Sequence, residues 1–174
     1  DRVVCHGEST ESIIFSTNNL NGVMTYSWTN DTPSIGLSSS GSGDILSFTA
    51  VNTISTPVNA TITVIPTFGF DNVVCVGEEK TFTITVNPTA QVEQPQDQTV
   101  CNGDDVTVEF FTNNAVGNIS YSWFTDTDIG LGLTGEGDLN FTAVNSTTSP
   151  LSANISVVST FEDGVNNCTG TVRN

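Results

Sequence analysis

The sequence has few positive charges and no long apolar run. Three Lys or Arg stand against 19 Asp or Glu, which gives a net charge of -16 over 174 residues. Three scattered cations cannot neutralise a row of phosphates, so nucleic acid is a poor partner, and an anionic membrane surface repels the chain for the same reason. No apolar stretch approaches the roughly 20 residues of a membrane-spanning helix, so we expect no membrane insertion.

Residues that favour helices are also scarce, whereas those that favour strands and turns are abundant. Lys, Arg, Gln and Met are rare, while Ser, Thr and Asn together account for 63 of the residues. This composition predicts an all-β protein. With 36% hydrophobic residues the chain can still fill a core, and its length suits one domain or two small ones.

An internal repeat runs through the whole chain. Its offset falls from 96 to 93 residues, which single-residue deletions in surface loops explain. A period near 95 residues is about the size of an autonomous β-sandwich. We therefore predict one module over 1–88, a proline-containing linker over 89–96 and a second module over 97–174. The clearest matches are Val4–Gly7 with Val100–Gly103, Tyr26–Trp28 with Tyr121–Trp123, and Phe48–Asn52 with Phe141–Asn145.

Short segments rich in β-branched and aromatic residues predict the strands of the first module. The cleanest alternates three Thr with Phe82, Ile84 and Val86. With short edge pieces before Cys5 and Cys75, the count reaches about seven, as in an immunoglobulin-like sandwich. The fold prediction is therefore two tandem immunoglobulin-like β-sandwiches. The main predicted strands are 12–17, 23–28, 45–51, 60–65 and 81–86.

Two tryptophans occupy equivalent places in the repeat, each two residues after a tyrosine. These pairs are Tyr26 with Trp28 and Tyr121 with Trp123. We expect both pairs to lie in the cores of their modules, with the Tyr on the same side of the strand as the Trp. A platform for stacking carbohydrate is the alternative.

The second module is predicted to lack its last strand. After Cys75 the first module continues into the strand of 81–86, whereas after Cys168 only a few residues remain. One interpretation is that the sequence is a piece of a longer array. The other is that the uncovered edge accepts a strand from another chain by β-augmentation, as in a fibre assembly.

Four cysteines fall at matching places, one pair in each repeat. Three disulfide pairings are possible in principle. Only Cys5 with Cys75 and Cys101 with Cys168 keeps each module self-contained, so we predict these two bridges. They would imply an oxidising compartment. A zinc site is the alternative, but neither pair has the close ligand spacing that zinc usually shows.

The sequence offers little for catalysis, so we predict that the protein is not an enzyme. The only histidine, His6, is replaced by Asn102 in the second repeat, and no hydrolase, metalloprotease or phosphate-binding motif appears. Adjacent acidic residues on a strand point to opposite faces and are better explained as surface charge.

Calcium is the one ion worth weighing, because oxygen ligands recur in predicted loops. Asp44 and Asp138 each end a turn with two glycines, and Asp126 stands close to Asp128. No complete calcium-loop pattern is present, however. We therefore expect no cofactor and keep these residues as weak calcium candidates.

The sequence resembles the PKD-like, immunoglobulin-like repeats of very large surface proteins of Bacteroidota, among them the gliding-motility adhesins. The resemblance is carried by the run that begins at Tyr26, the Gly-Ser-Gly-Asp turn before Ile45, the segment Ser47–Asn52, and the strand at 81–86 with its following Asn-Pro-Thr. It covers both modules. It implies a secreted, extracellular β-sandwich array on the cell surface that contributes to adhesion, and it supplies no catalytic or ligand-binding residue.

Two functions of different classes follow. The first is a non-catalytic spacer or stalk, in which acidic modules follow one another along a surface protein, with neighbouring modules of the same chain, surface glycans or other surface proteins as partners. The second is a carbohydrate-binding module. Its platform would be the aromatic residues before Cys75 and Cys168, namely Phe68, Phe70 and Phe161.

Overall fold

The computed structural model describes residues 1–164 and 166–174, which form two compact units, Asp1–Pro88 and Thr89–Asn174. The regular secondary structure of these described residues consists of strands and one short 3-10 helix at Pro33–Ile35. The predicted all-β fold is therefore confirmed. Within the described part of the chain, no helix has the length and apolar character needed to cross a membrane.

The first unit contains a six-stranded sheet. Its order is β1-β6-β4-β2-β3, and β5 pairs with β4 as a hairpin. All of these pairings are antiparallel except that of β1 with β6, which is parallel. The strands are β1 Arg2–Cys5, β2 Val23–Asn30, β3 Ser40–Ser42, β4 Val58–Phe70, β5 Val73–Val76 and β6 Lys80–Asn87.

The alternating residues of β4 and β6 supply much of the core of the first unit. Ile62 of β4 and Ile84 and Val86 of β6 are fully buried, whereas the Thr residues between them point away. Trp28 of β2 packs into the same core. The predicted strand at 81–86 is therefore found, with its apolar face inward as the period of two requires.

Facing this sheet, two segments of the first unit approach each other without forming regular strands. Bridges join them at Ser9 with Thr49 and at Ile13 with Ile45, and the Thr10 N–H also donates to the Phe48 carbonyl. The side chain of Thr10 accepts a hydrogen bond from the Phe48 N–H, so a hydroxyl takes the place of a ladder carbonyl. The segments predicted as strands at 12–17 and 45–51 are therefore not regular strands, and the bridge of Ile13 with Ile45 joins them.

The second unit repeats much of this plan with six strands in two sheets. One sheet has the order β12-β11-β8-β9, and β7 pairs with β10 in a second sheet. By the repeat offset, β8, β9, β11 and β12 are the counterparts of β2, β3, β4 and β5. The strands are β7 Asp105–Val108, β8 Asn118–Thr125, β9 Thr134–Glu136, β10 Leu139–Thr142, β11 Ile155–Glu162 and β12 Asn167–Thr169.

The segment predicted as a linker, 89–96, belongs to the second unit. Ala90 and Val92 are buried, and Val92 is part of that unit's hydrophobic core. The Glu93 N–H donates to the carbonyl of Phe111. The two prolines suggested a spacer, but the apolar residues between them enter the core, so the second unit begins at Thr89 rather than at 97.

Candidate functional site: an open groove in the second unit

The two units differ most at the position of β6. In the first unit β6 pairs with β4 over seven residues, from Val64 opposite Lys80 to Val58 opposite Val86. Among the described residues of the second unit, only one rung of this pairing is present. There the Arg173 N–H donates to the Val157 carbonyl at 2.9 Å, and the Val157 N–H donates to the Arg173 carbonyl at 2.7 Å.

This rung lies in the register of the first unit. Arg173 and Val157 follow Lys80 and Val64 by the same offset of 93 residues. Counterparts of Phe82, Ile84 and Val86 are not among the described residues of the second unit. In the described part of this unit, the rung of Arg173 with Val157 is therefore the first pair of this ladder, and the edge of 151–155 beyond it is uncovered.

Equivalent residues show what the missing strand would cover. Ala60 and Ile62 are fully buried in the first unit, whereas their counterparts Ala153 and Ile155 are only half-buried. Leu151, at the position of Val58, is 40% exposed. Since the residue types are alike at these positions, the difference in exposure comes from the missing neighbour and not from the local sequence.

The uncovered face lines a groove with a volume of about 690 Å³. We call it the open groove and define it by the apolar residues on its floor together with Leu151 and Ala153 at its edge. Arg173 is the only basic residue of the second unit, and it stands beside this groove. The floor consists of Val106, Val108, Leu139, Phe141, Ile155 and Val157.

Two further segments lose regular structure for the same reason. In the first unit β1 pairs only with β6, and the beginning of β4, Val58–Thr61, pairs with β6 alone. Their counterparts in the second unit, 98–101 and 151–154, are not strands. Val100 is accordingly 43% exposed. One absent strand thus accounts for three differences between the units.

The cysteines do not form the predicted pairs. Cys5 and Cys168 are each disulfide-bonded and buried. Cys75 and Cys101 are exposed free thiols. The predicted bridges of Cys5 with Cys75 and of Cys101 with Cys168 are therefore wrong.

The strand register of the first unit gives the physical reason. Cys5 lies beside Asn87, beyond the pair of Val86 with Val58, whereas Cys75 lies opposite Phe68. Ten residues of β4 separate Val58 from Phe68, a distance of about 33 Å at about 3.3 Å per residue. A disulfide requires Cα atoms within about 7 Å, so these two cysteines cannot be joined.

In the second unit Cys168 pairs with Phe161 near the end of β11. Cys101 precedes a turn in which the Gly103 N–H donates to the Ala143 carbonyl. This is the turn that Gly7 forms with the Ala50 carbonyl in the first unit. Both units therefore hold their cysteines at sites that an intramodule bridge does not join.

The paired aromatics lie in the cores. Trp28 and Trp123 are each 7% exposed, and Tyr26 and Tyr121 pack against the two clusters. Burial raises the pKa of Tyr121. A Cβ on Gly41 would lie 2.1 Å from the Trp28 ring, and one on Gly135 would lie 2.1 Å from the Trp123 ring. Each indole is thus enclosed by a glycine of the neighbouring strand and is not available as a carbohydrate platform.

The weak calcium candidates hold loops by binding backbone amides. Asp44 accepts a hydrogen bond from the Phe15 N–H at 2.9 Å, and Asp138 accepts the equivalent bond from the Phe110 N–H at 2.8 Å. Within residues 1–164 and 166–174, no group of three His, Cys, Asp or Glu side chains is arranged to hold a metal ion.

Asp126 and Asp128 are engaged in the same way. Asp126 accepts hydrogen bonds from the backbone N–H and the side-chain amide of Asn154, and these bonds lower the pKa of its carboxyl. Asp128 accepts bonds from the N–H groups of Gly130 and Gly132, and its pKa is lowered as a result. Asp31, the counterpart of Asp126 in the first unit, accepts the matching bond from the Thr61 N–H. Asp126 therefore has the same structural role as its counterpart.

His6 also has a structural role. Its Nδ1 accepts a hydrogen bond from the Asn52 N–H at 2.9 Å, and the side-chain oxygen of Asn102 accepts the equivalent bond from the Asn145 N–H at 2.8 Å. The replacement of His by Asn in the repeat therefore keeps the acceptor and changes nothing else in this contact.

The proposed carbohydrate platform is not formed as a set. Phe161 is 1% exposed, with its ring against Gly117, so its assignment to a platform is wrong. Phe68, its counterpart, is half-buried against Gly22. Only Phe70 is well exposed, at 57%. It lies at the tip of the β4–β5 hairpin near exposed valines that sequence reasoning missed, since β-branched residues there gave no sign of facing solvent. These are Val73, Val74 and Val76.

Comparison with protein-family models, with curated proteins and with solved structures gives no match.

Proposed function

We propose that the chain is a non-catalytic, extracellular repeat element that acts as a spacer and adhesion module of a surface protein. The observation that carries the proposal is that one module plan occurs twice in succession. β2 and β8 have the same length and the same burial pattern, and each pairs with its short neighbour in the same register. What is repeated is a packing plan, since the shared polar contacts are loop anchors and not a cluster of reactive groups.

Charge and sulfur chemistry support an extracellular location. Nineteen acidic residues against three basic ones keep neighbouring stalks apart by repulsion. Buried, disulfide-bonded cysteines such as Cys5 and Cys168 are typical of oxidising compartments. The PKD-like resemblance of the sequence agrees with both points.

A surface-display experiment tests the spacer function. The full chain is inserted between a cell-surface anchor and a fluorescent epitope, and energy transfer from a membrane dye reports the distance of the epitope from the membrane. We expect a narrow distribution of distances, resolved by the lifetime of the donor dye, whereas a flexible Gly/Ser insert of the same number of residues samples a broad one. A distribution as broad as that of the flexible insert would contradict the proposal.

Carbohydrate binding remains a second candidate because Phe70 is exposed next to other apolar side chains. A glycan array probed with the full chain separates the two functions. The spacer function predicts no specific signal. A specific signal that Phe70→Ala abolishes and Phe124→Ala, a similarly exposed aromatic of the second unit, leaves intact would favour the carbohydrate-binding module instead.

A further inference from the structure

His6 and Asn102 hold equivalent loops of the two units, each through one backbone hydrogen bond. The Nδ1 atom of His6 accepts from the Asn52 N–H at 2.9 Å, and the side-chain oxygen of Asn102 accepts from the Asn145 N–H at 2.8 Å. The two acceptors differ in their acid–base chemistry. An amide oxygen stays an acceptor between neutral and mildly acidic pH, whereas an imidazole nitrogen that takes up a proton becomes a donor.

Asn52 connects its loop to the core of the first unit. Its side chain is buried and donates from Nδ2 to the Thr56 carbonyl at 2.8 Å and to the Val86 carbonyl at 2.7 Å. Its Oδ1 accepts from the Ile54 N–H at 3.0 Å. Of these contacts and the bond from its N–H to the imidazole, only the last ends at a group that can be protonated. Loss of that bond would free the backbone at the start of the loop while the side chain stays anchored.

We propose that His6 is a pH-dependent anchor of the loop 52–56. In the neutral ring the proton lies on Nε2, and Nδ1 accepts the Asn52 N–H. Protonation of Nδ1 would set two N–H donors against each other at 2.9 Å, so the hydrogen bond is lost. The anchor is therefore present at neutral pH and is lost as the pH falls toward about 5. The second unit keeps its anchor, because the amide of Asn102 does not take up a proton in this range. The proposal goes beyond the spacer function and does not depend on it.

The surroundings of the imidazole permit this change of charge. His6 is exposed, so a proton reaches it without opening the core. Apart from the contact with Asn52, its N–H donates to the Asn87 carbonyl at the end of β6, at 3.0 Å. Its own turn at 5–8, the loop and this end of β6 carry one charged residue besides His6, namely Glu8, whose Oε2 accepts from the N–H at position 5. Glu8 is negative and therefore does not oppose protonation of the ring.

NMR of the full chain tests the proposal, and its ring signals need no separation because His6 is the only histidine. At neutral pH the nitrogen-15 shifts should identify the tautomer with the proton on Nε2. The protection of the Asn52 amide, corrected for the intrinsic exchange rate, should fall at least about fivefold between neutral pH and about pH 5, which corresponds to one lost hydrogen bond. The Asn145 amide should keep its protection. A proton on Nδ1 at neutral pH, or equal protection of Asn52 at both pH values, would overturn the proposal.

Exchanging the two anchors between the units locates the effect. His6→Asn copies the second unit and should make the protection of the Asn52 amide independent of pH. Asn102→His should transfer the dependence to the Asn145 amide. Both positions are exposed, so neither variant disturbs a core. A dependence at Asn52 that persists in His6→Asn would overturn the proposal, and so would an Asn102→His chain in which Asn145 is equally protected at both pH values.

A third variant separates loss of the anchor from a general loosening in acid. His6→Ala removes the acceptor at every pH, so at neutral pH it should leave the Asn52 amide as weakly protected as in the native chain at about pH 5. The amide of Ile84, in the core strand β6, should stay protected throughout. Native protection of Asn52 in His6→Ala at neutral pH would contradict the proposal. None of these outcomes bears on the display experiment, so the two proposals fail separately.

Discussion

The two units follow one plan and, among the described residues, differ in the pairing along β4 and its counterpart: β4 has seven pairs with β6 in the first unit, whereas the second unit has the single rung of Val157 with Arg173. Where β6 is present, β1 is a regular strand, β4 extends to Val58, and Ile62 is fully buried. Where its counterpart is absent, 98–101 and 151–154 are irregular and Ile155 is half-exposed to the groove. A single central strand therefore organises two neighbours, because each of them has no other partner in the sheet.

The largest expected difference concerns the thiols. In the native oxidised chain we expect a maleimide to label Cys75 and Cys101 and to leave Cys5 and Cys168 unreacted, since only the first two are free and exposed. Mass spectrometry should count two labels before reduction and four after reduction and unfolding. Cys75→Ser and Cys101→Ser should each remove one label. Labelling of Cys5 in the native chain would show that this cysteine is not disulfide-bonded and would contradict the structure.

The next effect is the cost of deleting core volume at equivalent positions. Ile62→Ala should destabilise the first unit by about 3 kcal/mol, because the removed atoms leave a cavity in a closed core. Ile155→Ala should cost the second unit about half as much, because that side chain already faces the groove. Denaturant unfolding followed by Trp28 or Trp123 alone, with the other tryptophan changed to Phe, checks both values. Equal costs would contradict the open core.

A glycine lies against the buried indole in both units, so substitution of this glycine should destabilise both units equally. Gly41→Ala and Gly135→Ala each push a methyl group into the six-membered ring of a buried indole. Overpacking of this kind costs about 1 to 3 kcal/mol, and we expect the same value in both units. Near-ultraviolet circular dichroism of the tryptophans provides a second measure. A large effect in only one unit would mean that the two modules differ beyond the sixth strand.

The smallest expected effect is a pH dependence of the stability that Asp126 contributes. The pKa of Asp126 is lowered in the folded state by its hydrogen bonds to Asn154. A carboxyl with a lowered folded pKa contributes stability above its ordinary pKa, and the contribution is lost as pH falls through the folded value. Asp126→Asn should therefore lower the melting temperature slightly at pH 7 and have no effect at strongly acidic pH. A difference that persists in acid would contradict this origin.

The sequence predicted those parts of the fold that depend on alternation and repetition. The strand with Phe82, Ile84 and Val86, the buried tryptophans and the limit of the first unit near Pro88 all follow from local pattern or from the offset between repeats. The register of the rung with Val157 also follows from the offset, since Arg173 lies 93 residues after Lys80.

The features that the sequence did not predict depend on which segments lie next to one another in the folded chain. Matching positions suggested that Cys5 and Cys75 pair, but the parallel pairing of β1 with β6 places Cys5 far from Cys75 along β4. Spacing along the chain contains no information on this direction. Likewise the prolines around Val92 suggested a linker, whereas the burial of Val92 depends on a core formed by distant residues.

Hydrogen exchange of the full chain measures directly whether the edge of 151–157 is uncovered while that of 58–64 is paired with β6. Segments 58–64 and 151–157 are equivalent in sequence position and differ in having or lacking that neighbour. We expect the amides of 58–61 to exchange at least about 100-fold more slowly than those of 151–154. Equal protection of the two segments would show that the groove is closed in the full chain and that the two units do not differ at this edge.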